Sequence, residues 1–335
     1  MKTPLVSILI PFKNTESFLS DCLISIINQT YSHWEVIIID DHSTDNSRHI
    51  VKSFSEKDER IHLFNNIGTG IIDALRLAFK YSKGVLITRM DSDDVMPEHK
   101  IDTMVKSLIK SGKNHVATGR VAYFSDRGIS DGYKKYEDWL NRLTEQGQNY
   151  SEIYKECVIA SPCWMIYRED FVACGGFNHD RYPEDYDLTF RFYKAQYKII
   201  PSSDMLHYWR DYQTRTSRTH SNYAENTFLD IKLHYFLELD FDNSRPLVIW
   251  GAGFKGKTIA KKLVEKQIAF TWICDNPKKI GKEIYDQELK PFTHLEHINQ
   301  AQSIVTVANP KAQNDIKSYF EKQDMHAMTD YFFFC

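Results

Sequence analysis

The most constraining feature of the chain is an alternation within its first 110 residues. Leu5–Ile10 is a short apolar run closed by Pro11, and Glu35–Asp40, Ile61–Asn65 and Val85–Met90 are three more. Between and after them lie stretches with apolar residues at helical spacing. Phe18, Leu19, Cys22, Leu23, Ile26 and Ile27 form the first, behind Thr15 as its expected cap. Ile71–Tyr81 is another, and Ile101, Met104, Val105, Leu108 and Ile109 follow Pro97 at i, i+3, i+4, i+7 and i+8. Short buried strands alternating with amphipathic helices predict an α/β fold, a largely parallel sheet covered by helices on both faces. Such sheets bind ligands in the crevice at the carboxyl ends of their strands. Two polar clusters fall there: Asp40-Asp41-His42-Ser43 after the second run, and Asp91-Ser92-Asp93-Asp94 after the fourth.

Further along, His115–Phe124, Cys163–Tyr167 and Tyr197–Pro201 read as strands, Glu184–Gln196 as a helix, and residues 221–240 as a linking helix. After Asn243 the alternation restarts: strand Leu247–Trp250, helix Gly256–Lys266, strand Phe270–Cys274 and strand Ser303–Ala308. The expectation is therefore a first domain over residues 1–243 and a small second α/β domain over 244–335. Lys and Arg number 42 against 45 Asp and Glu, a net charge of −3, so no global basic excess points to nucleic acid. The six cysteines form no C-x-x-C pair, which argues against a zinc site or disulfide framework. No apolar run approaches the roughly 20 residues a membrane span needs, and no basic leader precedes the first strand. The reading is a cytoplasmic protein, with peripheral contact at the inner face of the membrane left open.

Each acidic cluster has two readings. The Asp91/Asp93 pair can present oxygen ligands to Mg²⁺ or Mn²⁺, which are often held by one or two carboxylates with substrate phosphates completing the shell. Alternatively, Asp93 or Asp94 caps the helix beginning near Glu98. Asp41 can accept hydrogen bonds from a nucleobase or ribose, or close a simple turn with Ser43 and Asp45. Pro183-Glu184-Asp185-Tyr186-Asp187 opens a helix, where a carboxylate serves as general base or merely complements the helix dipole. The segment His207–Arg218 sets Arg210, Arg215 and Arg218 in a loop that either clamps phosphate or is simply solvated.

Taken together, Val6-Ser-Ile-Leu-Ile-Pro-Phe-Lys-Asn14, Ser25-Ile-Ile-Asn-Gln-Thr-Tyr31, Glu35-Val-Ile-Ile-Ile-Asp-Asp-His-Ser-Thr-Asp45, Arg89-Met-Asp-Ser-Asp-Asp94 and Gly175-Gly-Phe177 followed by Glu184-Asp185 closely resemble the family 2 glycosyltransferases. The resemblance runs over roughly residues 4–220, with the motifs in order. It implies a GT-A fold, a nucleotide-diphosphate sugar donor (uridine being the common base), a divalent metal, and single in-line displacement that inverts the anomeric centre. By the same resemblance, Asp41 contacts the donor base beside the backbone of Pro11 and Phe12. Asn14 and Ser92 line the donor pocket, Asp91 and Asp93 hold ribose and metal, and Asp185 is the base. His42 stands where relatives carry glycine, and Arg76 where many carry asparagine; Arg76 either reaches the donor phosphates or lies on the helix surface. The acceptor, a saccharide or lipid-linked sugar in surface-polysaccharide or glycan synthesis, is unnamed by any residue.

His207 is a further candidate for the metal shell, the alternative being a packed histidine. Trp164 and Trp209, with Glu184, are candidates for the acceptor side, as is Trp139 for stacking on a sugar, against core packing as the alternative. In the second domain Gly251-Ala-Gly253-Phe-Lys-Gly256 follows a strand and opens a helix, with Asp275 about 20 residues on, as in a Rossmann-like fingerprint. Those glycines either approach a ligand or serve only the turn. The aromatic end Tyr331–Cys335 reads as a last strand or as a homodimer patch. Two other functions compete: a sugar nucleotidyltransferase, which would want a Gly- and Lys-rich loop where Pro11–Thr15 stands, and a non-catalytic nucleotide-sugar binder or scaffold.

Overall fold

The computed structural model describes residues 3–215, 218 and 228–335, which form two compact units. The first comprises residues up to Asn149 together with Val158–Thr219; the second comprises Tyr150–Cys157 and His220–Cys335. The expected boundary at 243 separates the two sheets, but the helix before it packs within the second unit, as does Tyr150–Cys157.

The first unit is built on a seven-stranded sheet. Its strands are β1 (Val6–Phe12), β2 (Trp34–Asp40), β3 (Ile61–Asn65), β4 (Leu86–Arg89), β5 (His115–Phe124), β6 (Trp164–Tyr167) and β7 (Lys198–Arg210), in spatial order 3-2-1-4-6-5-7. All pairings are parallel except those of β6, which runs antiparallel to β4 and β5. Every residue of β1, β2 and β4 is buried, which is why these strands read as unbroken apolar runs. Strand order reverses between β1, which pairs β2 on one side and β4 on the other, so the crevice opens beyond Phe12 and Arg89. Helices α1 (Leu19–Ile27), α2 (Ser47–Ser55), α3 (Ile71–Tyr81), α4 (Lys100–Ser111), α5 (Asp131–Glu145), α6 (Arg168–Ala173) and α7 (Glu184–Lys194) complete the unit. Thr15 does not cap α1; its carbonyl accepts the amides of Phe18 and Leu19, and α1 starts later. Nor do Asp93 or Asp94 cap α4, whose N-cap is His99.

Glu35 ties the sheet to the approach of β4. Its Oε1 accepts the Ser7 hydroxyl at 2.6 Å and the amides of Lys83 and Gly84 at 2.5 and 3.1 Å. β7 is longer than the expected Tyr197–Pro201 and carries His207–Arg210 as strand, not loop. The β5–β7 register shifts around Arg120, and a bridge from Val95 to Tyr208 pins the turn after β4 to β7.

The second unit has a six-stranded sheet: β8 (Leu247–Trp250), β9 (Thr271–Cys274), β10 (Glu283–Ile284), β11 (Gln287–Pro291), β12 (Gln302–Val305) and β13 (Tyr331–Phe333), in order 10-11-9-8-12-13. It is parallel apart from the β10–β11 hairpin. Helices α8 (Leu229–Leu239), α9 (Phe254–Glu265) and α10 (Pro310–Lys322) belong to it; the expected linking-helix residues 221–227 lie outside the described residues. The aromatic end is core: Tyr331, Phe332 and Phe334 are buried. Tyr154, from the Tyr150–Cys157 segment, stacks on Phe334 at 5.3 Å.

Candidate active site

Three loops at the carboxyl edge of the first sheet build the site. After β2, Asp41 is 6% exposed and its Oδ1 accepts the Asn66 side-chain amide at 2.7 Å and the Gly70 backbone N–H at 2.9 Å. The Asp41 amide donates to the Phe12 carbonyl at 2.8 Å, so Pro11 and Phe12 flank it through the backbone. Lys13 lies 3.7 Å from its other oxygen. The Asp41 carboxyl is thus already well bonded at this end of the crevice. His42 fills the glycine position with φ at 60°, a left-handed backbone that its short contact to the Gly68 carbonyl, 2.9 Å, helps to hold. Asn14 is exposed and accepts the Thr44 amide, tying the β1 loop to the β2 loop.

The turn after β4 carries the carboxylates. Asp91 accepts Arg89 Nε at 2.8 Å and the Ser161 hydroxyl at 3.3 Å. Burial would raise its carboxyl, but Arg89 and Arg215 outweigh that and hold it low. Asp93 accepts the Tyr212 hydroxyl at 2.8 Å. Burial, with Asp94 and Asp91 as like-charged neighbours, pushes it up to about 7. Arg215 and the Tyr212 hydrogen bond pull the other way. Ser92 is buried in the turn.

His207 is not available to a metal. It is fully buried, with Nε2 2.9 Å from Asp94 Oδ2 and Nδ1 3.2 Å from Lys100 Nζ. An ammonium can only donate, so Nδ1 accepts and the Nε2 proton faces Asp94. Burial and Lys100 keep the ring well below the usual histidine range, hence neutral. Asp94 also accepts the Arg210 amide at 2.8 Å, so this network braces the turn from behind.

α7 brings the third group. Glu184 is 5% exposed and pairs with Arg89 through NH1 at 2.9 Å. Asp185 beside it is pushed up to about 7 by burial and by Glu184, with Arg89 pulling the other way. Arg89 itself, buried on β4, thus reaches Asp91 with one nitrogen and Glu184 with another. Sequence reasoning named Arg89 only as part of a motif. It is the last residue of β4, two before Asp91 in the turn that follows.

Other expected site residues have different partners. Arg76 donates to the carbonyls of Phe177 and Asn178 at 2.7 and 2.8 Å and pairs with Asp180 at 2.7 Å, so it fastens the loop leading to α7 instead of meeting donor phosphates. Arg218 forms a two-pronged pair with Asp211, at 3.0 and 2.8 Å, and stacks over Tyr133. Arg215 remains at the carboxylates: burial works against its charge, but Asp94 and Asp93 hold it protonated. Trp164 packs against Phe171 and Phe192, and Trp209 against Tyr123 and Tyr136; both are core residues instead of acceptor-side platforms. Trp139 packs against Tyr136 at the edge of the same core.

In the second unit, Gly251 has φ at 118° and Gly256 lies so close that an added Cβ would sit 2.0 Å from the Gly251 carbonyl oxygen. Both serve the turn. Gly253 has open space around it, and Asp275 accepts the Trp250 indole N–H at 3.1 Å.

Among the described residues, no three His, Cys, Asp or Glu side chains converge as a complete metal cage. The donor set at Asp91 and Asp93 is nonetheless all carboxylate oxygen and anionic, which suits a hard divalent cation whose shell is completed by phosphate. No described helix is long and apolar enough to cross a membrane.

A largely parallel sheet with one reversed strand, aspartates in the turn after β4 and carboxylates at the start of α7 has the layout of a GT-A fold. The profile described as glycosyl transferase family 2 matches residues 7–175, and the chain belongs to that family. It is 26% identical over 214 residues to the glycosyltransferase GlyG of Streptococcus pneumoniae serotype 4, covering 62% of this chain and 70% of GlyG. It is 38% identical over 108 residues to the Escherichia coli UDP-Glc:alpha-D-GlcNAc-diphosphoundecaprenol beta-1,3-glucosyltransferase WfgD, covering 32% of this chain. The match spans only 42% of WfgD's own length. In fold it is similar to the mannosyltransferase PcManGT of Pyrobaculum calidifontis in complex with GDP-Man and Mn²⁺, with a TM-score of 0.53 and 18% identity, covering 71% of this chain and 64% of that one.

Proposed function

We propose that the protein is an inverting glycosyltransferase that moves a sugar from a nucleotide-diphosphate donor, a UDP-sugar, onto the hydroxyl of a saccharide or lipid-linked acceptor in surface-polysaccharide synthesis. The observation that carries this reading is the meeting around Arg89 of Asp91, from the turn after β4, with Glu184 and Asp185 of α7, Asp93 lying in the same turn as Asp91. The relative whose name specifies a UDP-linked donor and a lipid-linked acceptor lends support to both choices.

In this reading the Asp41 cradle, with the Phe12 carbonyl beside it, receives the base. Mn²⁺ or Mg²⁺ on Asp93, with Asp91, would supply Lewis acidity to the diphosphate. Asp185 accepts the proton of the acceptor hydroxyl. That oxygen bonds to the sugar C1 from the face opposite the diphosphate, while the bond from C1 to the diphosphate oxygen breaks and its electron pair leaves with the nucleotide. Arg215 lies where the departing negative charge accumulates and stabilises it. The active protein works in the cytoplasm, at the inner face of the membrane where a lipid-linked acceptor is presented.

The test is nucleoside-diphosphate release by the purified protein with Mn²⁺ across a panel of nucleotide sugars, alone and with saccharide and lipid-linked acceptors. One donor is expected to be turned over, and Asp93→Ala or Asp185→Asn to lower turnover by at least about 100-fold, the lower range for a general base. Full transfer by Asp185→Asn rules out the base assignment. Nucleotide-sugar binding without release under any condition favours a scaffold.

A further inference from the structure

Arg89 occupies a position that the reaction as described does not require. It is 4% exposed, on a central strand, and the described contacts of its guanidinium are both carboxylates: Nε to Asp91 at 2.8 Å and NH1 to Glu184 at 2.9 Å. Asp91 sits at the donor end of the site. Glu184 is the first residue of α7 and adjoins Asp185. Both partners are themselves poorly exposed, with side chains at 17% and 5%. In such surroundings a planar guanidinium bonded to two carboxylates fixes both in distance and angle, and weakening one arm is felt by the other.

We infer that Arg89 is a positioning residue that couples occupancy of the nucleotide site at Asp91 to the placement of the base-bearing N-terminus of α7, through Glu184. The inference rests on the donor-site reading above. The physical route is short. A nucleotide–cation complex drawing on Asp91 changes the charge that Arg89 faces on that side, and the guanidinium responds by tightening on Glu184. Lysine cannot stand in, because its single nitrogen cannot hold two carboxylates on different elements in a fixed fork. The loop entering α7 is separately fastened by Arg76 to the Phe177 and Asn178 carbonyls, and Asp187 in the first turn of the helix pairs with Arg181 and Arg191 at 2.9 and 2.8 Å, so Arg89 acts on the face of that turn that carries Glu184.

The coupling is tested without any acceptor, using UDP and Mn²⁺ as the probe, with GDP beside it. Binding is measured by calorimetry, and amide hydrogen exchange is followed over residues 184–190. In the wild-type chain nucleotide is expected to slow exchange there about fivefold or more, the low end of couplings between sites. Arg89→Gln, compared with wild type at saturating nucleotide whatever its affinity, should show less than about twofold protection, roughly no coupling on that scale. Glu184→Gln, which keeps an acceptor for the guanidinium and preserves the packing, should show an intermediate response, and it carries the test if Arg89→Gln does not fold. Unchanged protection in both variants overturns the inference. So does wild-type nucleotide binding with no response in α7. Absence of binding by either nucleotide in the folded wild-type chain instead removes the donor-site reading, and the inference falls with it.

Discussion

At the scale of single residues, the first turn of α7 holds a carboxylate whose environment favours its protonated form. Asp185 is raised to about 7, first by burial and then by Glu184, while Arg89 partly offsets both. A general base works only when unprotonated, so turnover is expected to rise with pH through about 7 and to fall away below it. Glu184→Gln removes a charge that raises the Asp185 carboxyl, and the acid limb of the pH–rate profile should move to lower pH. A limb that stays in place would mean that Asp185 is not the group being read. Asp41, Asp91, Asp93 and Asp185 were legible in the sequence as residues of the carboxyl edge and of a helix start, because acidic residues placed just after apolar strands or at a helix start have few positions to go. Arg76, Arg218 and His207 were not. Arg76 and His207 find partners far along the chain, Phe177 and Asn178 for the one and Asp94 and Lys100 for the other, and such pairings leave no local spacing; Arg218 pairs with Asp211, seven residues back. Trp164 and Trp209 carried two readings for a related reason, and core packing is the one found: an aromatic on a strand reads the same whether its face meets sugar or another ring.

Among the elements, the strand–turn–helix at β8 and α9 offers a sharp contrast. A methyl group at Gly256 meets the Gly251 carbonyl oxygen at 2.0 Å, whereas one at Gly253 meets nothing within 4 Å. Gly253 also has φ at −78°, which any residue adopts. Gly256→Ala is therefore expected to destabilise the second unit by up to about 3 kcal/mol, the upper end for overpacking, and Gly253→Ala by a few tenths. Thermal melts of the two variants check this, and equal melting temperatures would contradict the close packing. The same methyl logic applies to Gly84, where an added Cβ sits 2.5 Å from the Ser7 amide nitrogen. Strands β1, β2 and β4 were readable because burial on both faces leaves only apolar residues. The second half of β7 was hidden by Ser202, Ser203 and Asp204, polar residues that occupy the stretch where its register against β5 shifts.

For the molecule as a whole, a division at residue 243 follows the two sheets but not the two cores. A fragment of residues 244–335 would lose Tyr154, which stacks on Phe334, and Phe236, which meets Phe332 at 4.9 Å. It would also lose Lys232, whose buried ammonium donates to the carbonyls of Lys155 and Phe334 at 2.6 and 3.3 Å. That fragment is expected to show little cooperative unfolding and to aggregate, by calorimetry and light scattering. A fragment of 220–335 supplemented with a Tyr150–Cys157 peptide should recover part of the transition. A cooperative, monomeric 244–335 would show that the added segments are dispensable.

The excursion of Tyr150–Cys157 out of the first unit has a consequence for the order in which the nascent chain can mature. As synthesis proceeds from the N-terminus, this octapeptide leaves the ribosome long before Phe332 and Phe334, the last of its partners. The residues that complete the first unit, Val158–Thr219, emerge in between. The first unit can therefore close while Tyr154 still waits without its stacking partner. The second unit can mature only once Phe332 and Phe334 have emerged, so a ribosome stalled before them would hold a closed first unit and an unfinished second one.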